Sequence, residues 1–225
     1  MRKPQNEHGY TMVETTLYIS ILIILGGVLA GYAHNAMLRY KTGRTTQQVI
    51  DLKKAVIQFT AADEDYSKLT IENMDKGNSL PLDMRTGNSS TAIHALDGSV
   101  DVGPASKAPL NDTGKNKNFM FFIKFDNLYR KGCVEILTQG QFYGDGSELD
   151  TLIVNGTEAW RYKYSFYDLS KYNDGTGSSV SEENKHTLEP ESSSVADAPS
   201  IRLSISDAVH ACSKKENNTI VWVFS

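Results

Sequence analysis

One stretch near the N-terminus constrains this chain more than any other. Residues 17–33 are almost wholly apolar, broken only by Ser20 and three glycines, and the next charges are Arg39 and Lys41. Ahead of the stretch, residues 1–9 are polar and carry Arg2 and Lys3. Lipid offers no partner to backbone N–H and C=O groups, so a lone segment crosses a bilayer only as a helix, and that takes about 20 residues. Residues 10–37 are long enough. No later segment competes, so one membrane span is expected, with the rest of the chain beyond it.

The remaining residues suit a folded domain. Of 225 residues, 40% are hydrophobic and 22% charged, with a formal net charge of −4. This balance predicts one domain of ordinary size. It predicts no broad cationic face, so no nucleic-acid partner is expected for the subunit alone, because phosphate binding needs clustered Lys and Arg.

A conventional secretory signal is one reading of the N-terminus. Such a leader places small residues at a cleavage site after the apolar run, and Ala30, Ala33 and Ala36 could serve. Glu14 argues otherwise, as an acid at the head of that run. A carboxylate at membrane depth costs several kcal/mol unless paired, which marks it as a functional candidate. The plain alternative puts Glu14 at the lipid interface, in a first helical turn that favours negative charge.

Glu14 has a context. The string Gly9-Tyr10-Thr11-Met12-Val13-Glu14 follows a short basic leader and precedes an apolar helix. It resembles the class III signal of type IV prepilins. The resemblance implies cleavage between Gly9 and Tyr10 by a prepilin peptidase and N-methylation of Tyr10. It implies that Glu14 pairs with the N-terminal amine of a neighbouring subunit in a homo-oligomeric filament. Two charges that are each costly in an apolar filament core offset one another only if they meet. In that family the first mature residue is usually Phe or Met, where this chain has Tyr10.

Gly27 and Gly31 form a G-x-x-x-G spacing within the apolar run. Close helix contact in membrane or filament is one reading. A local weak point is another, since glycine costs roughly 1 kcal/mol against alanine in a helix. Plain abundance of glycine in membrane helices is a third. Beyond the run, Val49, Leu52, Val56 and Phe59 recur at spacings of three and four. That is the apolar stripe of a helix packed on a globular domain, ending near residues 61–63.

Further on, residues 75–118 are rich in Gly, Ser, Asn, Asp and Pro and read as loops and turns. Strands are expected at 119–125, 151–154, 160–167, 201–205 and 219–224, and short helices at 126–137 and 207–212. Residues 173–200 read as an exposed polar loop. In the last strand, Ile220, Trp222 and Phe224 alternate as one apolar face. The fold class is therefore α+β: a long N-terminal helix, membrane-spanning in its first half, packed on an antiparallel sheet. The expected divisions are a leader at 1–9, a membrane or filament-core half-helix at 10–37, an amphipathic half at 38–62, and a head domain at 63–225.

Cys133 and Cys212 are the only cysteines. In an exported domain two cysteines more often form a disulfide than a metal or redox site, and two buried thiols are the alternative. A bond between them would close a long loop, worth roughly 4–5 kcal/mol at most in the chain-entropy model. The C-terminal string Ala211-Cys212, then Asn217-Asn218-Thr219-Ile220-Val221-Trp222-Val223-Phe224, resembles the end of PilS-type type IVb pilins, and Cys133 resembles their other cysteine. The resemblance implies a pilin-like fold with a disulfide-bounded region over 133–212.

No catalytic motif stands out, and no enzyme activity or cofactor is expected. The histidines are scattered, without ligand spacing. Asp145, Ser147, Glu148 and Asp150 could hold Ca²⁺ through oxygen ligands, but an acidic turn explains them as well, and no metal is expected. The leading expectation is a major or minor pilus subunit, serving adhesion, conjugation or a related surface function. It would be a single-pass bacterial inner-membrane protein, in contact with membrane lipid, before the pilus assembly machinery moves it into an extracellular pilus. Two other readings stand. One is a pseudopilin of a type II secretion-like system. The other is a single-span membrane protein whose exported domain binds a ligand and never polymerises.

Overall fold

The computed structural model describes residues 11–63, 66–105, 120–139, 148–162, 185–188 and 203–225. The chain forms two compact units, Met1–Tyr40 and Lys41–Ser225. Helix α1 spans Met12–Thr60. Its part up to Tyr40 presents its apolar side chains outward, and its part from Lys41 onward belongs to the larger unit.

In the larger unit a seven-stranded sheet has the order β1-β2-β3-β7-β4-β5-β6. The strands are β1 Ala92–Ile93, β2 Ser99–Ala105, β3 Met120–Leu128, β4 Leu149–Val154, β5 Glu158–Tyr162, β6 Lys185–Leu188 and β7 Asn218–Phe224. Neighbours pair antiparallel as expected, except β5 and β6, which pair parallel. A parallel pair cannot be joined by a tight hairpin, and the stretch between β5 and β6 is long enough for a crossover. β6 falls within 173–200, where only a polar loop is expected from composition.

The stripe on α1 is the helix face of the core. Val49, Leu52 and Val56 are fully buried, in one cluster with Ile123, Phe125 and Trp222, and Phe59 packs against that cluster from its edge. Strand β7 lies at the sheet centre, between β3 and β4. Ile220, Trp222 and Phe224 enter the main core, whereas Val221 and Val223 join a second cluster with Ile153, Met120 and Ala105. The strand is thus buried on both faces, where the sequence suggested one apolar face. Its edges are paired by β3 and β4, and the side chains of its two faces enter two separate apolar clusters.

Several boundaries differ from the sequence expectation. Within 75–118 the chain forms the first two strands, and α2 (Ile71–Lys76) starts just before it. The α2 helix is capped by Thr70, whose hydroxyl accepts the Asn73 N–H at 3.1 Å. Strand β2 carries Gly103 and Pro104, both poor strand residues, but β1 pairs only with Ser99 and Val100, so Pro104 needs no donor on that side. The helix expected at 126–137 is α3, Arg130–Thr138, because β3 continues to Leu128 through an irregularity at which Asn127 takes φ 60°. The strand expected at 201–205 is not formed at Leu203–Ile205. There Ser204 caps α4 (Ile205–Ala211), its hydroxyl accepting the Asp207 N–H at 3.1 Å. The expected strand beyond Tyr162 and positions 201–202 lie outside the described residues.

Candidate assembly segment and disulfide-closed region

In the smaller unit, residues 12–40 of α1 span about 43 Å at 1.5 Å per residue, enough for a hydrocarbon core of about 30 Å. The most apolar 18-residue window has a mean hydropathy of 2.0 and is 0% buried. Leu17, Ile19, Leu22, Ile23, Ile24, Leu25, Val28 and Leu29 all lie more than half exposed. The polar side chains among them bond back to their own helix: Ser20 donates to the Thr16 carbonyl at 2.7 Å and Asn35 to the Gly31 carbonyl at 3.1 Å. Such bonds make hydroxyl and amide groups tolerable in an apolar setting.

Glu14 sits in the first turn of α1, exposed, with its N–H against Thr11. A carboxylate there is favoured by the positive end of the helix. Gly9 and Tyr10 lie outside the described residues, so cleavage, methylation and the Glu14 pairing are not visible here. A Cβ added at Gly27 or Gly31 would meet nothing within 4 Å, so neither glycine is required by contacts within this chain.

In the larger unit, Cys133 and Cys212 form a disulfide, with Cα atoms 6.0 Å apart, joining α3 to the end of α4. Both cysteines are fully buried. Around it lies a polar network whose full extent the sequence did not reveal. Asn218, 0% exposed, donates to the carbonyls of Leu128 and Lys214 and accepts from the Lys214 N–H and the Asn155 amide. Asn155 also donates to the Ala211 carbonyl and accepts the Thr219 N–H. Two asparagines thereby tie the β4–β5 turn, the end of β3, the end of α4 and the loop after Cys212 to one another. The only hint in the sequence was the Asn-Asn pair before the last strand. Helices α3 and α4 leave a groove of about 550 Å³ beside them, lined by Arg130, Lys131, Val134, Thr138, Ile205 and Val209.

Of the acidic group weighed for Ca²⁺, Asp145 and Ser147 lie outside the described residues. Glu148 ion-pairs with Lys53 at 3.1 Å, and Lys53 lies 5.0 Å from the Phe224 ring centre. Among the described residues no three His, Cys, Asp or Glu side chains gather as a metal site.

The family model described as PilS N terminal matches residues 39–225, and the chain belongs to that family. Among the solved structures that resemble it are two pilins. The type IV b pilin from Salmonella typhi is 14% identical, with a TM-score of 0.44, over 80% of this chain and 97% of that one. TcpA, a type IV pilin from Vibrio cholerae El Tor biotype, is 14% identical, with a TM-score of 0.44, over 83% of this chain and 99% of that one. No curated protein matches the chain.

Proposed function

We propose that the protein is a type IV pilus subunit. In this reading it is cut after Gly9 by a prepilin peptidase, methylated on Tyr10, and polymerised through the N-terminal part of α1 into an extracellular filament. It is a structural subunit and not an enzyme. Before assembly the same segment holds it as a single-pass protein in the bacterial inner membrane, where the assembly machinery engages it. Adhesion, conjugation or a related surface role then belongs to the filament.

The observation that carries this reading is the outward apolar surface of residues 12–40 with an acid in its first turn. A simple membrane anchor needs the apolar surface but no carboxylate at its head. The family membership and the disulfide-closed region support it further. The test is Glu14→Ala in native cells, read by filament yield and by membrane-bound monomer. Assembly should fall sharply while monomer persists. Normal filament yield would sink the pairing role of Glu14. Mass spectrometry of the N-terminal peptide decides processing: a methylated Tyr10 supports the reading, and a start at Met1 or past Ala30 refutes it.

A further inference from the structure

The turn between β1 and β2 is built around a buried histidine whose setting disfavours the charged ring. His94 is 1% exposed, and its ring stacks on Phe125 with centroids 5.0 Å apart. Both ring nitrogens are engaged by backbone groups of fixed polarity. Nε2–H donates to the Asp126 carbonyl at 2.8 Å, and Nδ1 accepts the Leu96 N–H at 3.2 Å. Only the neutral Nε2–H tautomer satisfies both. A proton on Nδ1 would set one N–H against another in a buried site and leave a buried donor unmet.

The turn closes tightly over this ring. The His94 N–H donates to the Gly98 carbonyl at 3.0 Å, and the Asp97 N–H to the His94 carbonyl at 2.9 Å. A Cβ at Gly98 would collide with both the Asp126 carbonyl and the His94 ring, so no water or side chain fits between them. The same turn is fastened to α1 at two points. The Gln48 side-chain oxygen accepts the Ala95 N–H at 2.8 Å, and Lys41 pairs with Asp97 at 2.7 Å.

We propose that the turn from His94 to Gly98 is an acid-released latch: protonation of His94 opens the turn and frees residues Lys41 and Gln48 of α1 from it. Other charges facing the ring are few. Asp126 on β3, itself paired with Lys124 at 3.2 Å, and Asp97 in the turn both favour the charged ring, and Lys41 offsets Asp97. Burial outweighs them and holds the imidazole below its ordinary value. Because the folded value is depressed, the closed turn is stable above the open-state value of 6.5 and weakens as pH falls below it. A ring that charges only when open favours opening by up to about 100-fold at pH 4.5 and negligibly at pH 7.5.

The test is hydrogen exchange of the full-length chain in detergent micelles at pH 7.5 and 4.5, corrected for intrinsic exchange. Protection of the amides in 95–100 should fall between tenfold and 100-fold at pH 4.5, with β3 and β7 amides unchanged. Equal protection at both pH values would overturn the latch. In His94→Gln, whose amide does not titrate, the acid loss should vanish. The same loss in that variant would assign it to Asp97 and Asp126 and refute the role of His94. Should the variant not fold, nitrogen shifts of the wild-type ring decide: a charged His94 beneath still-protected turn amides refutes the proposal.

Discussion

Removing the disulfide between Cys133 and Cys212 has a calculable consequence. The bond spans 79 residues in sequence. In the chain-entropy model, closing such a loop restricts the unfolded chain by about 4.5 kcal/mol at 25 °C. That figure is a ceiling, because the unfolded chain retains structure of its own, and removal of a native disulfide typically costs 2–5 kcal/mol. A domain of 150–250 residues shifts by roughly 2–4 °C per kcal/mol. The double variant Cys133→Ala, Cys212→Ala should therefore lower Tm by about 4–18 °C. The assay is thermal and urea unfolding of the fragment that begins at Lys41, the compact larger unit. If the effect lies in the unfolded chain, the urea m-value should also rise, because the uncrosslinked chain exposes more surface. A shift under 2 °C with an unchanged m-value would refute the reasoning. It would mean that the asparagine network alone fixes α3, α4 and β7.

Other changes test separate parts of the structure. Asn218→Ala leaves the Leu128 and Lys214 carbonyls without their side-chain donor and should cost about 2–4 kcal/mol, read by urea unfolding. Leu52→Ala, at the fully buried centre of the α1 face, should cost about 2–5 kcal/mol in the same assay. Gly98→Ala should destabilise by at least about 1–3 kcal/mol or prevent folding, because its Cβ meets backbone as well as the His94 ring. Asp101 is a solvent-exposed residue of β2 whose carboxyl is held above the ordinary carboxylate range chiefly by partial desolvation, so its charge weakly opposes folding at neutral pH and relief comes as pH falls through the raised value. Asp101→Asn keeps an oxygen to accept the Val102 N–H. It should therefore raise stability at pH 7, with the gain shrinking toward pH 3 in a pH series of unfolding curves.

Elements with strong local signals were legible in the sequence. The apolar run, the stripe at Val49, Leu52 and Val56, and the aromatic strand around Phe121–Phe125 each declare their period and burial without help from distant residues. The branched Ile201–Ile205 string reads as a strand, and only the structure shows the Ser204 cap that decides for a helix at Ile205. The β2 strand was hidden because Gly103 and Pro104 look like turn residues until the neighbouring strand is seen to stop short.

By itself, then, the sequence determined which segments are apolar, where the membrane-length helix lies and that an acid stands at its head. These follow from side-chain type and spacing alone. Tertiary structure decided the rest. That β7 is central depends on which strands flank it, and that both its faces are buried depends on the apolar clusters on the two sides of the sheet. That Asn155 meets Asn218 and that His94 meets the Asp126 carbonyl depends on segments far apart in the chain being brought within hydrogen-bonding distance. A buried polar group is specified by its partners, and no local pattern of residues encodes a partner 63 or 32 positions away.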